Sequence, residues 1–402
     1  MINENYLTPS HRSKMHYLID EPAVLDRLHP KLIKLLDDMM IAYKTPITMS
    51  IMSPIDITTI RTIFLDFNTM FSNMSDTKFS SDVQTVLDHT MRIQLLIKPQ
   101  GIPPNQIIIN ILYHNTQSMF SFIMHAIHTF CNLFPNVNYD GLVINICLDE
   151  NKRDIIINSN TSIDDQVQYL RKHSMAFNVS GVTYKHKNII TVTRIEELIK
   201  LLFHELVHYV GLDENLHHSK FQNTWDILPE TNLNLSETYT EFMAVLLNAT
   251  YQSIHLSCLD AQPIIPLYQS ILNKEISYSI RLTSNILKFY GYDATNYTEF
   301  FHNNQQKHTQ PILLWEYIIL RTICMIHLSE LMDVVPDNFI IDVPSIKKIR
   351  DILHNDTELI HMLQKYMQQP IDSNVAYCMI DLNWNALADH YFNTRYNPSA
   401  QV

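Results

Sequence analysis

Several classes of protein are set aside by what this sequence lacks. It has no long run of Lys and Arg, and its net charge is −12. A surface that tracks phosphates needs clustered cations, so a nucleic-acid partner is not expected. The start, "MINENYLTPSHRSKMHYLIDEP", lacks a basic region followed by an apolar run and a small-residue cleavage site, so no signal peptide is read there. The longest apolar stretch, "QPILLWEYIILRTICMIHL", is interrupted by Glu316 and Arg321, which suits a buried helix and not a membrane span. Cysteine is sparse: Cys131, Cys147, Cys258, Cys324 and Cys378 are odd in number and show no C-x-x-C spacing. Free thiols that pack in the core of a protein in an intracellular, reducing compartment are expected, and not zinc ligands. Glycine occurs only 5 times in 402 residues, and no linker rich in Gly and Ser divides the chain. The parts are therefore expected to pack as one body.

Hydrophobic residues at 46% and charged residues at 17% fit a globular protein with a large core. Abundant Ile and Asn with little Gly suggest an AT-rich genome, viral or parasitic sources included. Residues 1–90 read as mostly helical, with apolar residues at three- and four-residue spacing in "AVLDRLHPKLIKLLDDMMIAY" and "FSSDVQTVLDHTM". From residue 91 the pattern changes. "MRIQLLIKP" and "QIIINILYH" read as strands around the breaker "QGIPPN", followed by a helix in "TQSMFSFIMHAIHTFCNLF", a strand in "GLVINICLDE" and a strand pair in "MAFNVSGVTYKHKNIITVTR" that turns near "HKN". From about residue 240 to 402 the chain reads as mainly helix. The expected organisation is a helical region over 1–90, a core over 91–255 and a helical region over 256–402 packed on it, an α+β fold.

Within the core, "LLFHELVHYVGLDE" places His204, Glu205 and His208 inside an otherwise apolar helix. Polar groups buried in such a setting need partners, and a metal ion is one. Thr193 with Glu196 has the spacing of a capping box at the start of this helix, and Gly211 suits its end. The apolar residues from Ile195 to Val210 spread around most of the circumference, so burial on nearly all sides is expected. His204 and His208, four apart, project from one face and can reach one ion; Glu205 lies about 100° away, near enough to contact a water on that ion. Zinc is the expected metal, with Glu205 as general base. With 20 histidines in the chain, an accidental H-E-x-x-H is commoner than usual, and in that case His204 and His208 are core histidines.

A catalytic zinc needs a third protein ligand. Glu214 completes H-E-x-x-H-x-x-G-x-x-E, a variant of the metzincin pattern. Glu237 lies in "SETYTEFMAVLLNA", and Glu230 lacks a following acid. The pair Glu237 and Glu241, four apart after an H-E-x-x-H helix, resembles the gluzincin branch of the zincin metallopeptidases, and "SETYTEFMAVLL" is similar to the second helix of lethal-factor-like and angiotensin-converting-enzyme-like members. The resemblance covers about residues 140–250 and is specific for the class, not for one family. It implies Glu237 as third ligand and Glu241 as the acid that orients His204. It also implies a zincin-like core, with a small twisted mixed sheet over the H-E-x-x-H helix and an edge strand that pairs with extended peptide; either half of "MAFNVSGVTYKHKNIITVTR" can be that edge. In the plainer reading, Glu237 serves the N-terminus of its own helix, capped from Asn234, and Glu241 sits on a solvated face.

The expected activity is hydrolysis of peptide bonds in a peptide or protein substrate, more as an endopeptidase than an exopeptidase. The rival is a structural or interaction protein that keeps a zincin-like fold with a zinc staple or an inactive site. A protease delivered as an effector is a further case that the motif does not separate. His217 and His218 read as exposed loop residues. Gluzincins add a Tyr, His or Arg opposite the metal; His390 and Tyr391 are late-chain candidates, and the loop over residues 212–236 is expected to shape the cleft.

Overall fold

The computed structural model describes residues 24–71, 88–98, 104–114, 119–149, 180–217, 235–289, 292–295, 315–354, 357–370, 376–379 and 381. Its class is α+β, as expected: one six-stranded mixed sheet flanked by helices. Helix α1 (Pro30–Lys44) precedes β1 (Thr48–Met52) and α2 (Ile57–Phe71); β2 (His89–Ile97) and β3 (Asn105–Tyr113) follow. Helix α3 (Phe120–Leu133) leads to β4 (Val143–Cys147), then β5 (Gly181–Tyr184) and β6 (Ile189–Val192). The strand order is β1-β2-β3-β4-β6-β5, antiparallel at both ends and parallel where β4 joins β3 and β6.

Alternation in β2 and β3 decides which face is buried. Ile93, Leu95 and Ile97 pair with Ile109, Ile107 and Asn105; the apolar side chains of these pairs enter the main core, and Asn105 is buried. Strand β4 lies between parallel partners, and four of its five residues are buried, as a central strand covered on both faces requires. On the second face, Ile60 and Phe64 of α2 pack on Leu112 and Cys147. The main core runs from Leu25 through the sheet to Met379.

Four helices carry the site. Helix α4 (Leu198–Val210) lies against β5 and β6, and α5 (Leu235–Asp260) packs along it. Helix α6 (Ile264–Phe289) packs on α5, and a π-helical turn at Trp315–Leu320 runs into α7 (Arg321–Ile326), beside both α5 and α6. The remaining helices are α8 (Leu328–Val334), α9 (Val343–His354) and α10 (Thr357–Met367). Among the described residues, no helix is long and apolar enough to cross a membrane.

The helical reading of 1–90 is corrected in two places. "TMSIM" forms β1, which extends the sheet beside β2 and is exposed over most of its length. Of "FSSDVQTVLDHTM", the residues from His89 onward belong to β2, since pairing with β3 outweighs a helical spacing; residues 79–87 lie outside the described residues. The capping box is corrected too. Thr193 spends its hydroxyl on the Ser180 carbonyl at 3.1 Å, continuing the contact of β6 with the β5 side, and α4 starts at Leu198 behind a left-handed Glu197 with no side-chain cap. Gly211 ends α4 as expected: at φ 81° its N–H reaches the Val207 and His208 carbonyls. Cys131, Cys147, Cys324 and Cys378 are buried free thiols, while Cys258 is free and exposed.

Candidate metal centre

Helix α4 buries 11 of its 13 residues, His204 and Glu205 among them. The first turn of α5 carries Glu237, and Glu241 stands one turn later on the same face. Packing of α5 along α4 brings Glu237 Oε2 to 3.5 Å from His204 Nε2 and 3.4 Å from His208 Nε2. His204, His208 and Glu237 thus offer three ligand atoms within 4.8 Å of one another.

The far nitrogen of each imidazole is also held. His204 Nδ1 donates to Glu241 Oε2 at 2.9 Å, and His208 Nδ1 donates to Asp213 Oδ2 at 2.8 Å. That leaves both Nε2 atoms directed at Glu237. Asp213 is anchored in turn by the Ser236 hydroxyl and by His217 at 3.3 Å. A second grouping, His208, Asp213 and His217, shares His208 with the first. There Asp213 bonds two imidazoles, and His208 Nδ1 is already engaged.

Glu214 points elsewhere. Its carboxylate is largely exposed and pairs with Lys185 at 3.1 Å, beyond the turn made by Gly211. Glu230, His390 and Tyr391 lie outside the described residues, as do His218 and most of the loop over 212–236. The edge strand is β5, the first half of the expected pair, with β6 on its inner side. Thr183 of β5 donates its hydroxyl to Glu205 Oε2 at 2.8 Å and lies equally close to the Glu205 carbonyl. A Cβ on Gly181 would come within 2.9 Å of Glu205 Cδ, so β5 passes over this carboxylate where no side chain fits.

Three contacts had no signal in the sequence pattern. Tyr317, on the π-helical turn, donates to Glu237 Oε2 at 3.0 Å and lies beside the His204 ring. Lys200, one turn before His204, and Arg321 of α7 both meet Glu241 Oε1, the latter at 3.5 Å. Both cations are buried, on elements whose periodicity announces only an apolar face.

Charge follows from this packing. Burial alone would raise the Glu241 carboxyl, but Lys200, His204 and Arg321 bring it down to about 2. Burial likewise opposes ionisation of Glu237, and its two histidines overcome this, so it sits well below the usual carboxylate range. Asp213 is lowered because His208 and Ser236 outweigh its burial. Burial works against charge on His204 and His208, yet the facing acids hold both above the ordinary histidine value. Glu205 differs: burial is the largest influence and raises its carboxyl despite the two histidines and Thr183. The acids thus favour positive charge between the histidines, which a proton or a cation can supply.

The residues fit a tetrahedral zinc. Ligand bonds of about 2.0–2.1 Å in a tetrahedron put ligand atoms about 3.3 Å apart, near the two separations to Glu237. Glu237, Glu241 and Asp213, all held below the ordinary carboxylate range, outnumber the two fixed cations Lys200 and Arg321, so around neutral imidazoles the cluster favours a bound cation.

Comparison with known proteins adds one relative. The chain is 38% identical over 357 residues to "Uncharacterized protein R210" of Acanthamoeba polyphaga mimivirus, a match covering 88% of this chain and 91% of the relative. That the relative is viral fits one of the two kinds of source, viral or parasitic, that the composition suggested. No family model and no solved structure matches.

Proposed function

The chain belongs to the family of that mimivirus protein, and we propose that it is a zinc-dependent peptidase of the H-E-x-x-H type, gluzincin-like in its ligands and acting on peptide or protein substrates. One observation carries the reading: two imidazole Nε2 atoms face a single oxygen of Glu237 while acids on α5 and after α4 hold both Nδ1 atoms. His204, His208 and Glu237 would hold the metal. When bound, zinc supplies Lewis acidity that polarises a carbonyl and brings the pKa of water toward neutrality.

The chain's own residues supply the rest. Glu205, with Thr183 on its Oε2, accepts a proton from the attacking water and delivers it to the departing amine nitrogen; its raised pKa suits both halves of that task. The outer edge of β5 receives an extended substrate by strand addition, directly above Glu205. Tyr317, which donates to Glu237, would turn its hydroxyl from that carboxylate to an oxygen that gains charge. Against the rival of a structural zinc stands the count of ligands: three in the grouping among the described residues, where closed sites have four.

The test compares the protein with Glu205→Gln on a peptide library. Parent protein should cleave, lose activity to a chelator and recover it with zinc; Glu205→Gln should keep its zinc and lose at least about 100-fold in rate. A variant that cleaves as fast as the parent would remove Glu205 from its role. A zinc-loaded parent that cleaves nothing would favour the structural rival.

A further inference from the structure

Beyond the ligands, the site leans on a segment far along the chain. Residues 376–379 are buried, and groups from several elements hold their backbone. Tyr278 donates to the Ala376 carbonyl at 2.7 Å, and Arg321 donates to the Tyr377 carbonyl. The Cys378 N–H donates to Glu197 Oε1 at 2.6 Å, and the Met379 N–H to Glu275 Oε2 at 2.9 Å. Arg194 pairs with the same Glu197 at 2.8 Å. Buried carboxylates that accept backbone N–H groups in this way fix the segment's path.

That path puts Tyr377 among three groups that support the centre, two of them against its ring. Lys200 Nζ stands 5.1 Å from the ring centroid, in cation–π range. The same Lys200 meets Glu241, whose other oxygen holds His204. Tyr317, which bonds Glu237, stacks on Tyr377 with centroids 6.2 Å apart and an interplanar angle of 29°. Arg321 bonds both Glu241 and the Tyr377 carbonyl. From the fixed ring, one route runs through Lys200 and Glu241 to His204, and another through Tyr317 to Glu237.

We infer that Tyr377 is a positioning residue of the metal centre: its ring face holds Lys200 and Tyr317 in place, and through them Glu241 and Glu237. The inference rests on the zinc reading above. Without the ring, Lys200 and Tyr317 keep their chemistry but lose the surface that fixes them, so the ligands are less well ordered before the ion binds. Outer partners of metal ligands change affinity by about 10–100-fold, and one layer further out the effect should be near the lower end, about tenfold.

The experiment measures the zinc dissociation constant by competition with a chromophoric chelator on full-length parent, Tyr377→Leu and Tyr377→Phe, with melting of the zinc-free proteins alongside. Leu fills the space without a ring face and should bind zinc about tenfold more weakly. Phe keeps the face and should restore parent affinity. Leu binding as tightly as parent, or Phe losing as much as Leu, would overturn the inference while leaving the zinc reading intact. A parent that binds no zinc would overturn the reading beneath it. Should Tyr377→Leu fail to fold, Tyr377→Met, which also lacks a ring face, takes its place: zinc binding about tenfold weaker is then expected, and parent-like binding overturns the inference.

Discussion

Replacing Gly181 with alanine adds one methyl group where β5 crosses Glu205. An alanine Cβ at this position would lie 2.9 Å from Glu205 Cδ and 3.0 Å from Cγ, and closer still to Oε1. Carbon atoms in ordinary contact stand about 3.5–4.0 Å apart, so either the carboxylate or the strand must move by roughly 0.5–1 Å. The Gly181 backbone is not left-handed, so alanine adds no φ strain and the clash alone is tested. Overpacking of this kind costs about 1–3 kcal/mol, and thermal or urea unfolding should register it. A catalytic group misplaced by about 1 Å can lose about 100-fold in rate. The expected result for Gly181→Ala is therefore a folded, modestly destabilised protein that retains zinc, because the atoms nearest the added methyl belong to Glu205 and not to His204, His208 or Glu237, and cleaves peptide about 100-fold more slowly. Parent-like turnover in a variant with parent-like zinc would refute the claim that Glu205 works where β5 holds it.

Two further substitutions give separable outcomes. Asp213→Asn keeps an acceptor for His208 Nδ1 but removes the charge, so zinc should bind about tenfold more weakly in chelator competition; unchanged affinity would show that Asp213 does not support the ligand. His128, buried on α3, is pushed down to about 4 by burial, against an ordinary histidine value near 6.5 in the unfolded chain. The unfolded state therefore binds the extra proton as pH falls from about 6.5 to about 4, and the protein loses about 3 kcal/mol across that window, with no further loss from this group below it. Urea unfolding of His128→Gln should fall less steeply with pH than the parent; identical slopes would show that His128 carries no such linkage.

How much of this could be read beforehand depended on whether a residue's role is local. The H-E-x-x-H helix, its Gly211 stop and the spacing of Glu237 and Glu241 are periodic features; spacing alone left Glu214 and Glu237 open, and the structure groups His204 and His208 with Glu237, the residue that the resemblance implied. Strands β2 to β6 were visible because each is a short β-branched run between breakers. Strand β1 was hidden because "TMSIM" is brief and its partner lies beyond a whole helix. Asp213 shows the limit most clearly: a turn at Gly211 sends Asp213 back under His208 and its neighbour Glu214 out to Lys185, a choice set by backbone conformation and not by residue type. Lys200, Thr183, Tyr317 and Tyr377 act across elements far apart in sequence, where periodicity carries no information.

Metal analysis by mass spectrometry, on parent and on Glu237→Ala purified without added zinc, bears most directly on the centre. About one zinc per parent chain, lost or much weakened in the variant, is the expected result. Zinc fully retained in Glu237→Ala would contradict the assignment of the third ligand. A parent that stays free of metal even when zinc is offered would leave His204 and His208 as core histidines held by their acids and would contradict the account.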